Sequence, residues 1–355
     1  MTIHENLTTF LGKKVQDYEP DQGIRDSENV VYRIRVDWDL QEKFSPRKYS
    51  STRPVKLNFW KKLFGKLGSK SVPEKQTTSK AQDQRYNSGF QYLFNNFSED
   101  PKSGQVHELI IGEWGGGCEG ADSSDVINEF VKAKSKLINL KALFIGDIIC
   151  EECEVSWIKH DDISALWKAY PSLEYFRIRG SDGLSLGNLR LSKLKTLIIE
   201  TGGLPKNVLD QVCHADLPKL EHLELWLGEE NYGWSGTVDQ LKPLIDGSTF
   251  PHLKYLGIRN SKVQDEVADL ISKSIIPANL EILDLSMGTL SDKGAAALLN
   301  YGRVNQLKLL DLHHHYLSVQ MQDKLKKLKC EVNLSDPQDE DNDDGEVYRY
   351  IAVSE

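Results

Sequence analysis

The 355-residue chain has five cysteines and no run of 18 consecutive apolar residues. Cys118, Cys150, Cys153, Cys213 and Cys330 form an odd, thinly spread set. Such a set argues against a disulfide framework and fits a reducing compartment. With no long apolar run, no membrane-spanning helix is expected. The opening MTIHENLTTFLGKK lacks a basic stretch leading into an apolar one, so neither a secretion signal nor a span is read and a cytoplasmic location is expected. Positive charge is not in excess either. The formal net charge is −9, so nucleic acid is not the default partner. No GxxxxGK[ST] follows Gly115-Gly116-Gly117, which therefore reads as a turn and not as a phosphate loop.

What is abundant is repetition. The frame LxxLxL recurs as VHELII from Val106, LKALFI from Leu140, LEYFRI from Leu173, LKTLII from Leu194, LEHLEL from Leu220, LKYLGI from Leu253, LEILDL from Leu280 and LKLLDL from Leu307. A weaker copy, KCEVNL, starts at Lys329. From Leu140 the first positions lie 33, 21, 26, 33, 27, 27 and 22 residues apart, mostly the spacing of leucine-rich repeats. The closing L-x-L has period two, so both leucines face one side of a short strand. One strand cannot bury that side alone, whereas stacked strands share an interior. Between them, VQDEVADLISKSI, SDKGAAALLNYG and DDISALWKAYPSL read as helices, with Ser291 or Asp292 capping the second and Pro171 closing the third. The expected fold is α/β: a leucine-rich-repeat solenoid with a curved parallel sheet inside and helices outside.

The stretches GDIICEECEVSWI (146–158), IETGGLP (199–205), HLELWLG (222–228), LDLSMGTLSDKGAAALL (283–299), LDLHHHYLS (310–318) and DDGEVYRYIAVSE (343–355) carry a resemblance. The chain resembles the ribonuclease-inhibitor-like leucine-rich-repeat superfamily, and within it a family of bacterial cytosolic proteins. That resemblance implies the fold and the location. It carries no established reaction, so it implies no catalytic set.

Three blocks are expected: residues 1–42 as an N-terminal cap or strand region, 43–88 as a basic flexible linker, and 89–355 as the solenoid. Residues 29–38, NVVYRIRVDW, alternate as a strand does, and GFQYLFNNF (89–97) reads as a helix covering the first repeat. Residues 43–80 hold eleven Lys or Arg against Glu74, a charge of +10 that leaves −19 on the rest. Within them NFWKKLFGKLG places Trp60, Leu63, Phe64 and Leu67 on one face of a short basic helix. At the other end, DEDNDDGE has its glycine and its twelfth position out of place for a calcium loop, so an exposed acidic loop is expected there. The EVYRYIAV that follows is expected to cap the sheet as a final strand.

Strand positions three, five and seven of each frame point away from the leucine side. They offer Phe144, Tyr175, Arg177, Arg179, Glu200, Glu224, Trp226, Tyr255, Arg259, Asp284, Asp311 and His313 as a solvent-facing surface for a partner. Rigid aromatics such as Trp226 and Tyr255 suit an interface. Asp284 and Asp311 fall about 4.8 Å apart on adjacent strands, where like charges raise each other's proton affinity. In LDLHHHYLS, His315 takes the turn-tying position and His313 faces outward, while consecutive side chains diverge too much for a metal site built from the triplet. Cys150-x2-Cys153 stands without a second pair and among Glu151, Glu152 and Glu154, which oppose a thiolate.

The expected function is a non-catalytic protein-binding scaffold with no metal and no cofactor. Its expected partner is another protein, with nucleic acid and membrane disfavoured and a monomer expected. Two alternatives stay open: a hydrolase or transferase using Asp284, Asp311 and His313, and a nucleic-acid or membrane adaptor working through residues 43–80.

Overall fold

Leu109, Leu143, Phe176, Leu197, Leu223, Leu256, Leu283 and Leu310 stand in register on successive parallel strands, and each is fully buried. This row is the period-two leucine of the repeat frame. Each such side chain contributes roughly 1.5–3 kcal/mol of transfer free energy, which only stacking makes available. The computed structural model describes residues 3–44, 86–115, 118, 121–343 and 345–354. The basic stretch NFWKKLFGKLG lies outside the described residues.

A 12-stranded sheet runs in chain order. Its strands are β1 (Thr9–Phe10), β2 (Lys13–Asp17), β3 (Val30–Ile34), β4 (Glu108–Ile111), β5 (Ala142–Ile145), β6 (Tyr175–Arg179), β7 (Thr196–Glu200), β8 (His222–Gly228), β9 (Tyr255–Ser261), β10 (Ile282–Asp284), β11 (Leu309–Asp311) and β12 (Glu331–Asn333). All neighbours pair parallel except β1 and β2. Every LxxLxL frame became a strand. The protein is a leucine-rich-repeat-type α/β solenoid.

The strand expected within 29–38 is β3. It joins β4 in the common sheet, and the antiparallel hairpin β1–β2 closes that edge. At the far end the expectation for EVYRYIAV needs correction. Only Glu346–Tyr348 is a strand, paired with Asp341–Asp343 in a separate hairpin. The chain beyond it turns back over the sheet instead of extending it.

The spacers read as helices form Ala165–Ala169, Gln264–Lys273 and Asp292–Asn300, and GFQYLFNNF lies in Gly89–Glu99. Adjacent helices are stapled by their caps. Asp265 accepts from the Ser291 hydroxyl at 2.5 Å, and Asp292 from the Ser318 hydroxyl at 2.6 Å, one repeat further on. Ser318 in turn accepts from the Met321 amide at 3.2 Å, capping Val319–Leu325. Ser318→Ala removes both bonds and is expected to cost about 1 kcal/mol in urea unfolding, a typical loss for a cap.

Strand exits turn through left-handed residues: Gly146, Gly180, Gly228, Asn260, Met287 and His314 all have positive φ. At Gly228 a Cβ would sit 1.7 Å from the Gly202 carbonyl oxygen, so only glycine fits there.

The cysteine expectation also changes. Cys118 and Cys153 are joined in a disulfide, with Cα atoms 5.4 Å apart. Reduced thiols were the support for a reducing compartment, and this bond removes it. Among the described residues no helix is long and apolar enough to cross a membrane.

Candidate functional site

Ion pairs cross the outer face of the sheet from β3 to β11. Arg33 meets Asp17 at 2.6 Å and the fully buried Asp147 at 2.8 Å. Glu200 holds Arg177 Nη2 at 2.6 Å and Arg179 Nε at 2.9 Å. Arg259 bridges Glu224 at 2.8 Å and Asp284 at 3.2 Å. The second group carries one excess positive charge and the third one excess negative charge. They lie on consecutive strands, and Glu224 lies close enough to favour the charged form of Arg177. The two imbalances therefore compensate, as buried charges must.

Burial is where expectation and structure part. Phe144, Arg177, Arg179, Glu200, Glu224, Trp226, Arg259 and Asp284, expected to face solvent, are all buried, Trp226 completely. Tyr175, Tyr255, Asp311 and His313 are half-buried. The cause is a roof that strand periodicity does not encode. Phe10 packs on Phe144 and edge-on against Tyr175. Ile3, Val155, Met287 and Val353 form one apolar cluster with Trp226, so segments from both ends of the chain cover the same stretch of sheet.

The roof is bonded as well as packed. Leu7 N donates to the Asp147 carboxylate at 3.2 Å, and Asn6 Nδ2 to the Asp147 carbonyl at 2.8 Å. Asn260 Oδ1 accepts from Val353 N at 2.9 Å while its Nδ2 donates to Val353 O. Ala352 N donates to the Met287 carbonyl at 2.9 Å, and Tyr350 N to the Tyr316 hydroxyl at 2.7 Å. The only sequence signal for this was polar residues at strand exits, such as Asn260, with no partner within their own repeat. Asn260→Ala leaves two peptide groups of Val353 unpaired. It is expected to cost about 2 kcal/mol, with faster amide exchange at 350–354 and a red-shifted Trp226 emission.

Asp284 and Asp311 are direct partners in register. Each is bonded to other groups. Asp284 accepts from the Tyr255 hydroxyl at 2.6 Å, and Asp311 from His313 Nδ1 at 2.7 Å and Asn333 Nδ2 at 3.0 Å. Burial pushes the Asp311 carboxyl up, but the bonds from His313 and Asn333 outweigh it and hold it below its ordinary value. The expected mutual rise is corrected for Asp311. Burial likewise opposes ionisation of Glu224, yet His222, Arg259 and Trp226 hold its carboxyl down to about 2.

The histidine triplet divides as its spacing predicts. His315 is fully buried, with Nε2 donating to the Leu334 carbonyl at 3.2 Å and Nδ1 accepting from Leu317 N at 3.2 Å. It ties the turn. His313 stays on the outer face, and His314 occupies the left-handed position.

The entry end of the strands stays partly accessible. Tyr175, Thr196, His222, Tyr255, Ile282 and Leu309 are half-exposed and aligned on successive strands. His222 and Tyr255 stack with centroids 3.8 Å apart and planes 3° from parallel.

The same fold occurs in a Bacteroides fragilis protein of known crystal structure. The two are 34% identical with a TM-score of 0.67, over 79% of this chain and 76% of that one. This chain belongs to that protein's family. An internalin of Listeria monocytogenes is matched at 16% identity and a TM-score of 0.34 over 69% of each chain, too distant to carry any argument. No family model matches the chain, and no curated protein does.

Proposed function

We infer that this family member is a non-catalytic scaffold that holds another protein against the entry end of its strands. The observation that carries the reading is the aligned, half-exposed row of Tyr175, Thr196, His222, Tyr255, Ile282 and Leu309. Side chains about 4.8 Å apart across a rigid sheet offer a continuous strip. Its aromatic members are already fixed: Tyr255 stacks on His222 and donates to Asp284. Little entropy is then lost on contact, which favours such residues as anchors. Of the twelve residues first expected to bind, Tyr175 and Tyr255 belong to this row; Asp311 and His313, half-buried at the exit of β11, lie outside it, and the other eight are buried.

The outer helices favour the ribonuclease-inhibitor-like variety of the fold. Residues 43–88 are proposed as a linker between the first strands and the repeats. A protein partner and a monomeric scaffold are proposed, with no nucleic acid and no membrane. A hydrolase built on Asp284, Asp311 and His313 has against it that Asp284 is buried and engaged by Arg259 and Tyr255.

The test is affinity capture from native extract, comparing wild type with an Ile282→Lys, Leu309→Lys variant of unchanged melting temperature. A protein retained by the first and lost by the second is the expected result. Capture unaffected by these changes, or lost only when the lysines of 43–80 are neutralised, overturns the proposal.

A further inference from the structure

The Cys150-x2-Cys153 pair is divided by the fold. Cys153 is buried and bonded to Cys118, whereas Cys150 is only partly buried and meets a histidine 146 residues earlier in the sequence. His4 Nδ1 lies 2.9 Å from Cys150 Sγ, Glu151 Oε2 lies 3.2 Å from the same sulfur, and Glu151 Oε1 lies 4.0 Å from His4 Nδ1. The three donor atoms fall within 4.8 Å of one another.

We propose that His4, Cys150 and Glu151 form a binding site for a divalent transition-metal ion, zinc by preference. In a tetrahedral zinc site with bonds of about 2.0–2.3 Å, neighbouring donor atoms stand about 3.3–3.6 Å apart. The observed separations bracket that range, so small side-chain rotations suffice. The donor types choose the ion. Thiolate and imidazole suit zinc and reject calcium and magnesium, which take oxygen ligands.

His4 is brought to the loop by its own backbone neighbourhood. Cys150 N donates to the Ile3 carbonyl at 3.2 Å, and Asn6 Nδ2 to the Asp147 carbonyl at 2.8 Å. The site is therefore preset by the roof over the sheet. Its outer side is open, since the His4 and Glu151 side chains are 66% and 62% exposed, which leaves water to complete the coordination. On binding, the Cys150 sulfhydryl gives its proton to solvent and the sulfur lone pair goes to the metal, with no change of oxidation state. The carboxylate that disfavours a bare thiolate favours this one, because the ion's charge lies between them. Coordination would also clamp residues 3–7 to the loop after β5.

The experiment uses the full chain, with its disulfide intact, no added histidine tag and metal removed by chelator. Cobalt(II) is titrated as the probe, then displaced by zinc. The expected result is one equivalent bound with a sulfur-to-cobalt charge-transfer band. Affinity should fall at least about tenfold in His4→Gln and in Cys150→Ser, and stay unchanged in Cys330→Ser, whose buried thiol lies just before β12. Zinc should also slow amide exchange across residues 3–7. A titration without the sulfur band, or an affinity indifferent to Cys150→Ser, overturns the proposal. If zinc slows exchange at 3–7 equally in Cys150→Ser, the ion binds elsewhere and the proposal fails. Either outcome leaves the scaffold reading untouched, since that rests on the strand-entry row.

Discussion

Replacing Glu200 by alanine is expected to destabilise the fold by roughly 3–5 kcal/mol, the cost of removing one partner from a buried ion pair. Glu200 is 1% exposed and its two carboxylate oxygens serve different guanidiniums, Arg177 at 3% and Arg179 at 1% exposure. Alanine would leave both cations under the roof with their anion gone. Arg179 retains the Ile148 carbonyl at 2.7 Å, and Arg177 lies over the Phe144 ring at 4.2 Å, contacts too weak to replace a carboxylate. The excess positive charge of this group would also double, beyond what the one excess negative charge on the Arg259 group can offset. Urea unfolding of Glu200→Ala measures the loss. A second variant, Arg177→Met, Arg179→Met, Glu200→Leu, separates the penalty of stranding charges from the net worth of the pairs. It is expected to regain at least half of the loss, because apolar replacement of a whole buried ionic group is often close to neutral. A single variant within about 1 kcal/mol of wild type would mean that water reaches these groups and the roof is open in solution.

The repeat was legible because its physics is local. A leucine every second residue fixes the inward row, and that row recurs at a spacing only stacked strands explain. The helices at Gln264–Lys273 and Asp292–Asn300 followed from the same periodicity, as did the separate duties of His313 and His315. What could not be read was the cover over the opposite face. Alternation says that Trp226 and Arg259 point away from the leucines, and they do. It cannot say that Ile3 and Val353, hundreds of residues apart, come to lie on that side. Charge on a strand face suggests exposure, whereas here it marks pairing under a lid. The disulfide escaped for the same reason. Cys118 and Cys153 are 35 residues apart in different loops, and only the sheet register brings them together.

Acid is expected to weaken the protein before any carboxylate is protonated, and His160 is the reason. Its ring is buried, with Nε2 at 2.8 Å from the Arg179 carbonyl and Nδ1 at 3.1 Å from the Ser123 hydroxyl. A carbonyl only accepts, so Nε2 carries the proton and Nδ1 accepts from Ser123. Burial lowers the imidazole from 6.5 to about 4, against the Arg179 carbonyl and the charges of Asp122 and Asp182, which favour the cation. The unfolded chain therefore takes up a proton near pH 6.5 that the native state refuses until about pH 4. Stability tied to this group is complete above the first value and falls as pH drops through the window, by about 3 kcal/mol in all. The paired carboxylates act later. Glu224, ordinarily at 4.5 and here held down to about 2, adds its loss only below the unfolded value. Urea unfolding between pH 7 and pH 5 thus reads the buried histidines, since burial lowers the His315 imidazole as well. Wild type should lose stability steadily across that interval, whereas His160→Gln, less stable at pH 7, should show a shallower slope that keeps only the His315 share, and His160→Gln, His315→Gln should be nearly flat. An equal slope in wild type and His160→Gln would move the acid sensitivity to another group and leave His160 as packing alone.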